Sequence, residues 1–438
     1  MVFHAYPPSD YLGEFRGRPP GLSVSRHDKL ILTSCYYGLR LQRRGRRPVA
    51  DLRIIGLISG TSVDGIEAAA GDLWLESGVL VLRPLGNRSV PYEAGLRKEI
   101  LAILPPAATT MEQVARLHNR IGQAFADAAD RANRELVGGR AELIVSHGQN
   151  AFHWVEGRRA RGTLQLGQPA WIAERTGLPV ISDVRARDIA AGGQGAPLVS
   201  LFDSMLLGGE GPRALLNLGG IANITVVGGG RAPLAFDTGP ANALMDAVVH
   251  SRTDGAEEFD RDGRHAAAGV IDQRLLAQLL TEPYFSLEPP KSTGRELFSL
   301  AYLQDRVPPG LSLEDLLATL AALTARSVAQ ACLAQSVSEV VAAGGGTLNP
   351  TLMTMLAEAL GTIPIRSIEE WGIPPTAKEA YAFAVLGFMT AHNWPGVVAG
   401  ATGADHVSIL GSITPGSNGW APVAVAGAPP TRLRVVTG

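Results

Sequence analysis

The sequence predicts an α/β protein of two similar halves facing a common cleft. Three observations carry this expectation. Residues 53–73 read as strand, glycine-bearing polar turn and strand, and residues 214–227 repeat that pattern around Gly219-Gly220. Each hairpin is followed by a third strand, 79–85 in the first half and 233–236 in the second, and then by helices. A further apolar strand ends in Gly344-Gly345-Gly346 just before a helix that starts near Thr351. With 438 residues, one simple core is not expected. The expected division is a first domain over 51–207, a second over 208–415 whose last helix returns to the first, and a tail over 416–438.

Bulk composition bounds the function. The chain is 46% hydrophobic and 18% charged, as soluble globular proteins are. A net charge of −2 supplies no global attraction to nucleic acid or to an anionic membrane, so neither is an expected partner. Cys35 and Cys332 cannot build a disulfide framework, and no Cys/His spacing suits zinc. No apolar run is expected to approach the length of a membrane span, and a reducing cytoplasm is the expected setting. Residues 1–50, with Pro7-Pro8, Pro19-Pro20 and a basic cluster at 43–48, show little periodicity and read as a poorly ordered extension.

The first hairpin carries the densest chemistry. Ser59, Thr61 and Ser62 offer hydroxyls, while Gly60 and Gly65 let the backbone turn tightly and approach a ligand. Amide N–H groups in such a turn suit phosphate oxygens. Asp64 is the natural oxygen ligand for magnesium. A Walker loop is excluded, because no Gly-Lys-Ser/Thr opens a helix here. Residues 66–73 instead read as a short second strand ending at a Gly71-Asp72 turn.

Downstream, 92–104 reads as a helix, and Thr109 with Glu112 offers a capping box for a long helix. That helix carries apolar Val114, Leu117, Ile121, Phe125 and Ala128 and stops at Gly138-Gly139. A short buried strand, 143–145, delivers Ser146-His147-Gly148-Gln149-Asn150 at its carboxyl end, where ligands bind in open α/β sheets. His147 and Gln149 there either bond sugar hydroxyls or, for the histidine, cap the turn. A strand over 163–168, a helix over 169–176 and a buried strand over 178–181 lead to Asp183. Beside the glycine-rich turn that holds Gln194, Asp183 is a general-base candidate. The helix N-cap reading suits Asp188 better.

In the second half, Gly219-Gly220 offers another phosphate turn, Asp237 ends the third strand, and Gly344-Gly345-Gly346 forms a shelf on which a nucleoside can lie against backbone. Three such elements suggest one nucleotide clamped from both sides. Together they resemble the actin-like ATPase and sugar-kinase superfamily, whose ribonuclease H-like fold is internally duplicated around a central nucleotide cleft.

The resemblance narrows. S-G-T-S-V-D-G, S-H-G-Q, L-Q-L-G-Q-P, D-V-R-A-R-D-I-A-A-G-G-Q-G-A-P-L, N-L-G-G-I-A-N, F-D-T-G-P-A-N, P-P-K-S-T-G-R-E-L-F and A-K-E-A-Y-A-F-A closely resemble the anhydro-N-acetylmuramic acid kinases over residues 54–415. The fungal levoglucosan kinases look similar across the same motifs. The resemblance implies an enzyme that uses ATP and Mg2+ to open the 1,6-anhydro ring and phosphorylate O6, giving N-acetylmuramic acid 6-phosphate in cell-wall sugar recycling. By position it implies Asp183 as the base and Glu379 as an aid to the attacking water. Gly60, Thr61, Ser62, Val63, Asp64, Gly65, Ile66 and Glu67 match the ATP segment. Gly219 and Gly220 match the second phosphate loop, and Asp64 and Asp237 face the metal. It implies substrate contacts at His147, Gln149 and Gln194 and a substrate or closure loop at Lys291, Ser292, Thr293 and Arg295, with an arginine fork able to grip a lactyl carboxylate. It also implies a homodimer whose domains close on substrate. Asn150, Val184 and Glu67 depart from the family's usual Thr, Phe and Asp. Two other readings stand beside this one: a non-catalytic actin-like nucleotide-binding protein, and a plain glycosidase using Asp183.

Overall fold

The computed structural model describes residues 51–60, 62–105, 107–157, 159–294, 297–421, 423 and 427–437. The readings placed on residues 1–50, on Thr61 and on Arg295 lie outside these.

Strands β1 (Leu52–Ser59), β2 (Gly65–Glu76) and β3 (Val79–Pro91) form an antiparallel meander. β2 is longer than expected and passes straight through Gly71-Asp72. A bulge between Ala70 and Gly71 takes up the irregularity. The Asp72 carboxylate is held by Arg53 (Nε 2.7 Å) and by Arg83, so the pair that reads as a turn is a salt-bridged strand instead.

Helix α1 (Ala94–Ile103) begins where the Glu93 carboxylate accepts the N–H groups of Gly95 and Leu96, at 2.8 and 3.1 Å. In α2 (Met111–Val137) the capping box is Thr110 with Gln113, one residue later than the expected Thr109 and Glu112. Gln113 reaches back to the Thr110 N–H at 2.8 Å. Gly138, left-handed at φ 61°, ends the helix as expected. The stripe Leu117, Ile121, Phe125 and Ala128 is buried against Ile55 and Leu57 of β1.

Strand β4 (Leu143–Glu156) runs parallel to β1. It does not stop at Val145 as expected. Gly148, at φ 73°, bends the chain without ending it, and β4 continues as a ribbon with β5 (Arg159–Leu166). Ser146 through Asn150 therefore lie within a strand. Next come α3 (Pro169–Thr176), β6 (Val180–Ser182) parallel to β4, α4 (Ala186–Ala190) and α5 (Ser200–Leu207).

The second half supplies β7 (Arg213–Leu218), β8 (Ile221–Val227), β9 (Leu234–Pro240), α6 (Asn242–Arg252), α7 (Leu313–Ala334), β10 (Glu339–Ala343), α8 (Pro350–Leu360) and β11 (Ile365–Ser367). Helix α9 (Lys378–Ala391) and the short strands β12 (Ser412–Thr414) and β13 (Leu433–Val435) follow. One sheet has the order β12-β6-β4-β1-β2-β3-β13, and the other β11-β10-β7-β8-β9. β6-β4-β1-β2-β3 and β11-β10-β7-β8-β9 share one order, and in both the second strand of the meander is the antiparallel member. This is the duplicated α/β architecture of the actin-like and sugar-kinase fold. β13, from the stretch read as a tail, pairs with β3 as an edge strand.

α9 packs on the first sheet at very close range. A methyl at Gly56 would overlap the Ala380 carbonyl, and one at Gly387 would overlap Val145. Small residues let helix and sheet touch backbone to backbone. The core around α9 is continuous with Leu215, Val341 and Ala343 of the second sheet, so one apolar body underlies both halves. α7 corrects the expectation that no apolar run reaches membrane length. Its 22 residues are long and apolar enough by composition, but 78% of the relevant window is buried inside the second core.

Candidate active site

The candidate residues gather at the carboxyl ends of parallel strands: the 60–65 loop after β1, Asp183 after β6, Gly219-Gly220 after β7 and Gly344-Gly345-Gly346 after β10. That end is where α/β sheets bind ligands.

The first loop rests on Gln149. The fully buried Gln149 carbonyl accepts from Ser59 Oγ at 2.6 Å, and its amide donates to the Gly60 carbonyl at 3.2 Å. Gln149 is thus a strut under the loop, where a sugar contact was expected. Val63 is fully buried and sits at φ 57°, an unusual conformation for a β-branched residue, costing on the order of 1–3 kcal/mol. Its N–H bonds the Gly60 carbonyl at 3.3 Å, closing the turn. Asp64 is exposed at the tip. A methyl at Gly60 would meet Ser62 Oγ at an ordinary 3.9 Å, whereas one at Gly65 would lie 2.6 Å from the Val90 carbonyl, so Gly65 serves the β2–β3 approach. Ile66 belongs to the core, and half-buried Glu67 faces Ser89, its carboxyl pushed up by burial.

In the second sheet, Asn217, Asn223 and Asp237 stand in one cross-strand row beneath Gly219-Gly220. The two glycine carbonyls accept the N–H groups of Ala241, Asn242 and Ala243 at 3.1 Å, joining the turn to the start of α6. Methyls at Gly344 and Gly346 would each come within 2.7 Å of Leu218, so the shelf is pressed against the second loop. Gly345 is exposed, with nothing within 4 Å of the position its methyl would take.

Asp237 Oδ2 accepts the Thr293 N–H at 2.9 Å, which docks the 291–294 segment on β9. Lys291 does not reach outward. Its ammonium donates to the Tyr284 and Phe285 carbonyls, both at 3.0 Å, and lies 4.9 Å from the Tyr284 ring centroid. Lys291 ties down its own loop; Ser292 is exposed.

Asp183 sits at φ 51° just beyond β6. Partial burial raises its carboxyl above the ordinary range, opposed by the Ala186 N–H that it accepts at the start of α4. The expected assignment of the cap is therefore reversed. Asp188 is inside α4 and fully buried, accepting from Gly195 N–H at 2.7 Å and Thr402 Oγ1 at 2.8 Å. Asp188 fastens the glycine-rich turn, and Gly193 packs against its carboxylate too closely for any side chain.

Arg185 links the cluster. Its Nε donates to His147 Nε2 at 2.7 Å, and its guanidinium also bonds the Gly195 carbonyl. Burial lowers its proton affinity, while Glu379 and Asp188 oppose that. His147 is buried, tilted against Phe383 at 4.8 Å, and carries its proton on Nδ1, donated to the Gly148 carbonyl at 2.9 Å. Burial first, and the Arg185 charge second, bring its pKa down to about 3. Glu379 is half-buried in the first turn of α9. Gln194 Oε1 accepts the Ala160 N–H at 2.9 Å, a bond to β5.

Among the described residues no three His, Cys, Asp or Glu side chains converge as a metal cage. Asp237, in the row beneath Gly219-Gly220, is an oxygen donor of the type magnesium takes, one or two carboxylates beside substrate phosphates and several waters. The Thr293 hydroxyl, buried beside Asp237 with no partner, is a further oxygen at that place. A recess of about 390 Å³ lined by Arg53, Asp72, Trp74, Arg83 and Arg140 lies at the opposite end of β1 and touches none of these residues.

Sequence reasoning did not select Arg97, Arg185, Asn217 or Asn223. Both asparagines flank Gly219-Gly220 in direct register, a signal that strand alternation could have supplied. The arginines carried none, since their roles depend on partners far away in sequence.

Two duplicated sheets that present paired glycine loops and a glycine shelf at one end define a protein of the actin-like and sugar-kinase class. The anhydro-N-acetylmuramic acid kinase family model matches residues 52–416, and the chain belongs to that family. It is 57% identical over 390 residues to the anhydro-N-acetylmuramic acid kinase of Streptomyces coelicolor, covering 88% of this chain and 100% of that protein. The corresponding kinase of Rhodococcus erythropolis is 55% identical over 394 residues, 88% of this chain and 99% of its own. That of Salinibacter ruber is 42% identical over 396 residues, 86% of this chain and 98% of its own. The chain is accordingly an enzyme, a kinase of this family.

Proposed function

We propose that the protein opens the 1,6-anhydro ring of anhydro-N-acetylmuramic acid with water and transfers the γ-phosphoryl group of ATP to the released O6. The observation that carries this reading is Asp183. An exposed carboxylate with raised proton affinity stands just beyond the carboxyl end of β6, two residues before the Arg185 that feels the charges of Glu379 and Asp188. Asp183 takes a proton from water as its oxygen bonds C1. The C1–O6 bond breaks, O6 bonds phosphorus, and ADP departs with the bridging oxygen. The phosphoryl group captures the leaving oxygen, so no second acid is required. This joins the water activation of an inverting glycosidase to phosphoryl transfer.

Glu379 helps hold the water. The amides of residues 60–65 and of Gly219-Gly220 hold phosphates, and the shelf at Gly344-Gly345-Gly346 carries the adenosine. Asp64 and Asp237 would hold magnesium, whose charge would neutralise the phosphates. The buried neutral His147 orients Arg185. The two sheets belong to two lobes that close on substrate, the working form is a homodimer, and the setting is cytoplasmic.

The test presents purified protein with magnesium-ATP and either the anhydromuramic sugar or levoglucosan, in 18O-labelled water. ADP release that requires the muramic sugar, with label at C1 and none in the phosphate ester, is the expected result. Ring opening without ATP, or label in the phosphate, overturns the reading.

A further inference from the structure

Arg97, on α1, has no part in the reading above, yet it makes three contacts, two on the first loop and one on the second half. Its Nε donates to the Val63 carbonyl at 3.1 Å and its Nη2 to Asp64 Oδ1 at 2.9 Å. Its Nη1 lies 3.9 Å from Glu258 Oε1, on the segment that follows α6 in the second half. The peptide it grips is the one that follows left-handed Val63. A guanidinium suits this place because its donors form a rigid fork. One edge can satisfy a carbonyl and a carboxylate together, while the remaining nitrogen faces the other half.

We propose that Arg97 is a positioning residue for the nucleotide: it holds the phosphate loop in its left-handed turn and links that loop to Glu258 across the cleft. The inference rests on the nucleotide reading of the 60–65 loop. With Arg97 in place the loop amides are pre-aimed, and binding avoids the cost of ordering them. The Glu258 contact is long and exposed, so its contribution is small unless the halves draw together.

The experiment compares Arg97→Ala, Arg97→Lys and Glu258→Gln with the unaltered protein, using calorimetry with magnesium-ATP and no sugar. Arg97→Ala is expected to weaken ATP binding about tenfold, the loss of one charge-assisted contact set. Arg97→Lys, which cannot fork, restores only part. In steady state the KM for ATP rises while the KM for sugar stays. Without nucleotide, amide exchange at Val63 speeds up in Arg97→Ala while β1 and β2 stay protected, a readout independent of activity. Glu258→Gln weakens ATP binding less, and has no added effect in the Arg97→Ala background. Unchanged ATP affinity and Val63 exchange in a folded Arg97→Ala protein overturn the proposal, and equal Glu258→Gln effects in both backgrounds overturn the cross-cleft link. Failure of the unaltered protein to bind ATP overturns the nucleotide reading and this inference with it.

Discussion

Arg185 Nε donates to His147 Nε2 across 2.7 Å, and the imidazole meets it as an acceptor because its own proton is spent on the Gly148 carbonyl. This bond joins β4 to the segment after β6 and leaves the guanidinium under the opposite charges of Glu379 and Asp188. A protonated imidazole would have no lone pair for it.

The first prediction follows from that neutrality. The His147 ring is expected to show no titration in NMR between pH 5 and 8, as its pKa lies near 3. The unfolded chain binds this proton near its ordinary value of 6.5, the folded one not until about 3. Stability conferred by His147 is therefore present above 6.5 and is lost as pH falls through that window. Arg185→Met should raise the His147 pKa part of the way, since burial is the larger cause and remains. His147→Gln should weaken this acid sensitivity in urea titrations across pH 3–6.5.

Asp183→Asn should cost on the order of 10²–10⁴-fold in kcat, the usual worth of a general base. Asparagine tolerates the left-handed conformation and can still accept the Ala186 N–H, so the fold should survive. The folded carboxyl binds its proton more tightly than the unfolded one, so ionisation at neutral pH weighs against folding. The variant should melt no lower, and somewhat higher, at pH 7. In the unaltered protein the acid limb of kcat/KM should lie above the usual aspartate value, and calorimetric ATP binding should persist in the variant.

Two neighbouring glycines should respond differently. Gly344 lies at φ 90° with its methyl position 2.7 Å from the Leu218 carbonyl, so Gly344→Ala should destabilise by roughly 1–3 kcal/mol. Gly345→Val should leave the melting temperature unchanged and raise the KM for ATP, because it fills only the open face of the shelf. Thermal melts beside ATP titrations separate the two.

Lys378 and Asp203 form a pair 3.3 Å apart, each side chain 1% exposed, immediately before Glu379. Lys378→Met should destabilise by about 3–5 kcal/mol, because it strands a buried carboxylate. Lys378→Met with Asp203→Leu should recover much of that loss in urea unfolding, leaving a fall in kcat as the measure of how far the pair aims Glu379.

Local chemistry was legible and partner choice was not. Gly138 and Gly177 end their helices where expected, as a left-handed stop depends on one residue. Gly71-Asp72 reads as a turn on the same local grounds, but Arg53 and Arg83 hold it extended. Gln149 and Lys291 read as ligand groups by type, yet backbone or neighbouring side chains occupy their polar atoms.

By itself the sequence determined the two hairpins, the strand-then-helix order of each half and the place of Asp183, because periodicity and turn residues act within a few positions. Only the tertiary structure decided which polar groups stay open at the strand ends and which brace the loops. That choice depends on hydrogen-bond partners that come together only when the chain closes, as when Arg97 meets Glu258 or Arg185 meets His147.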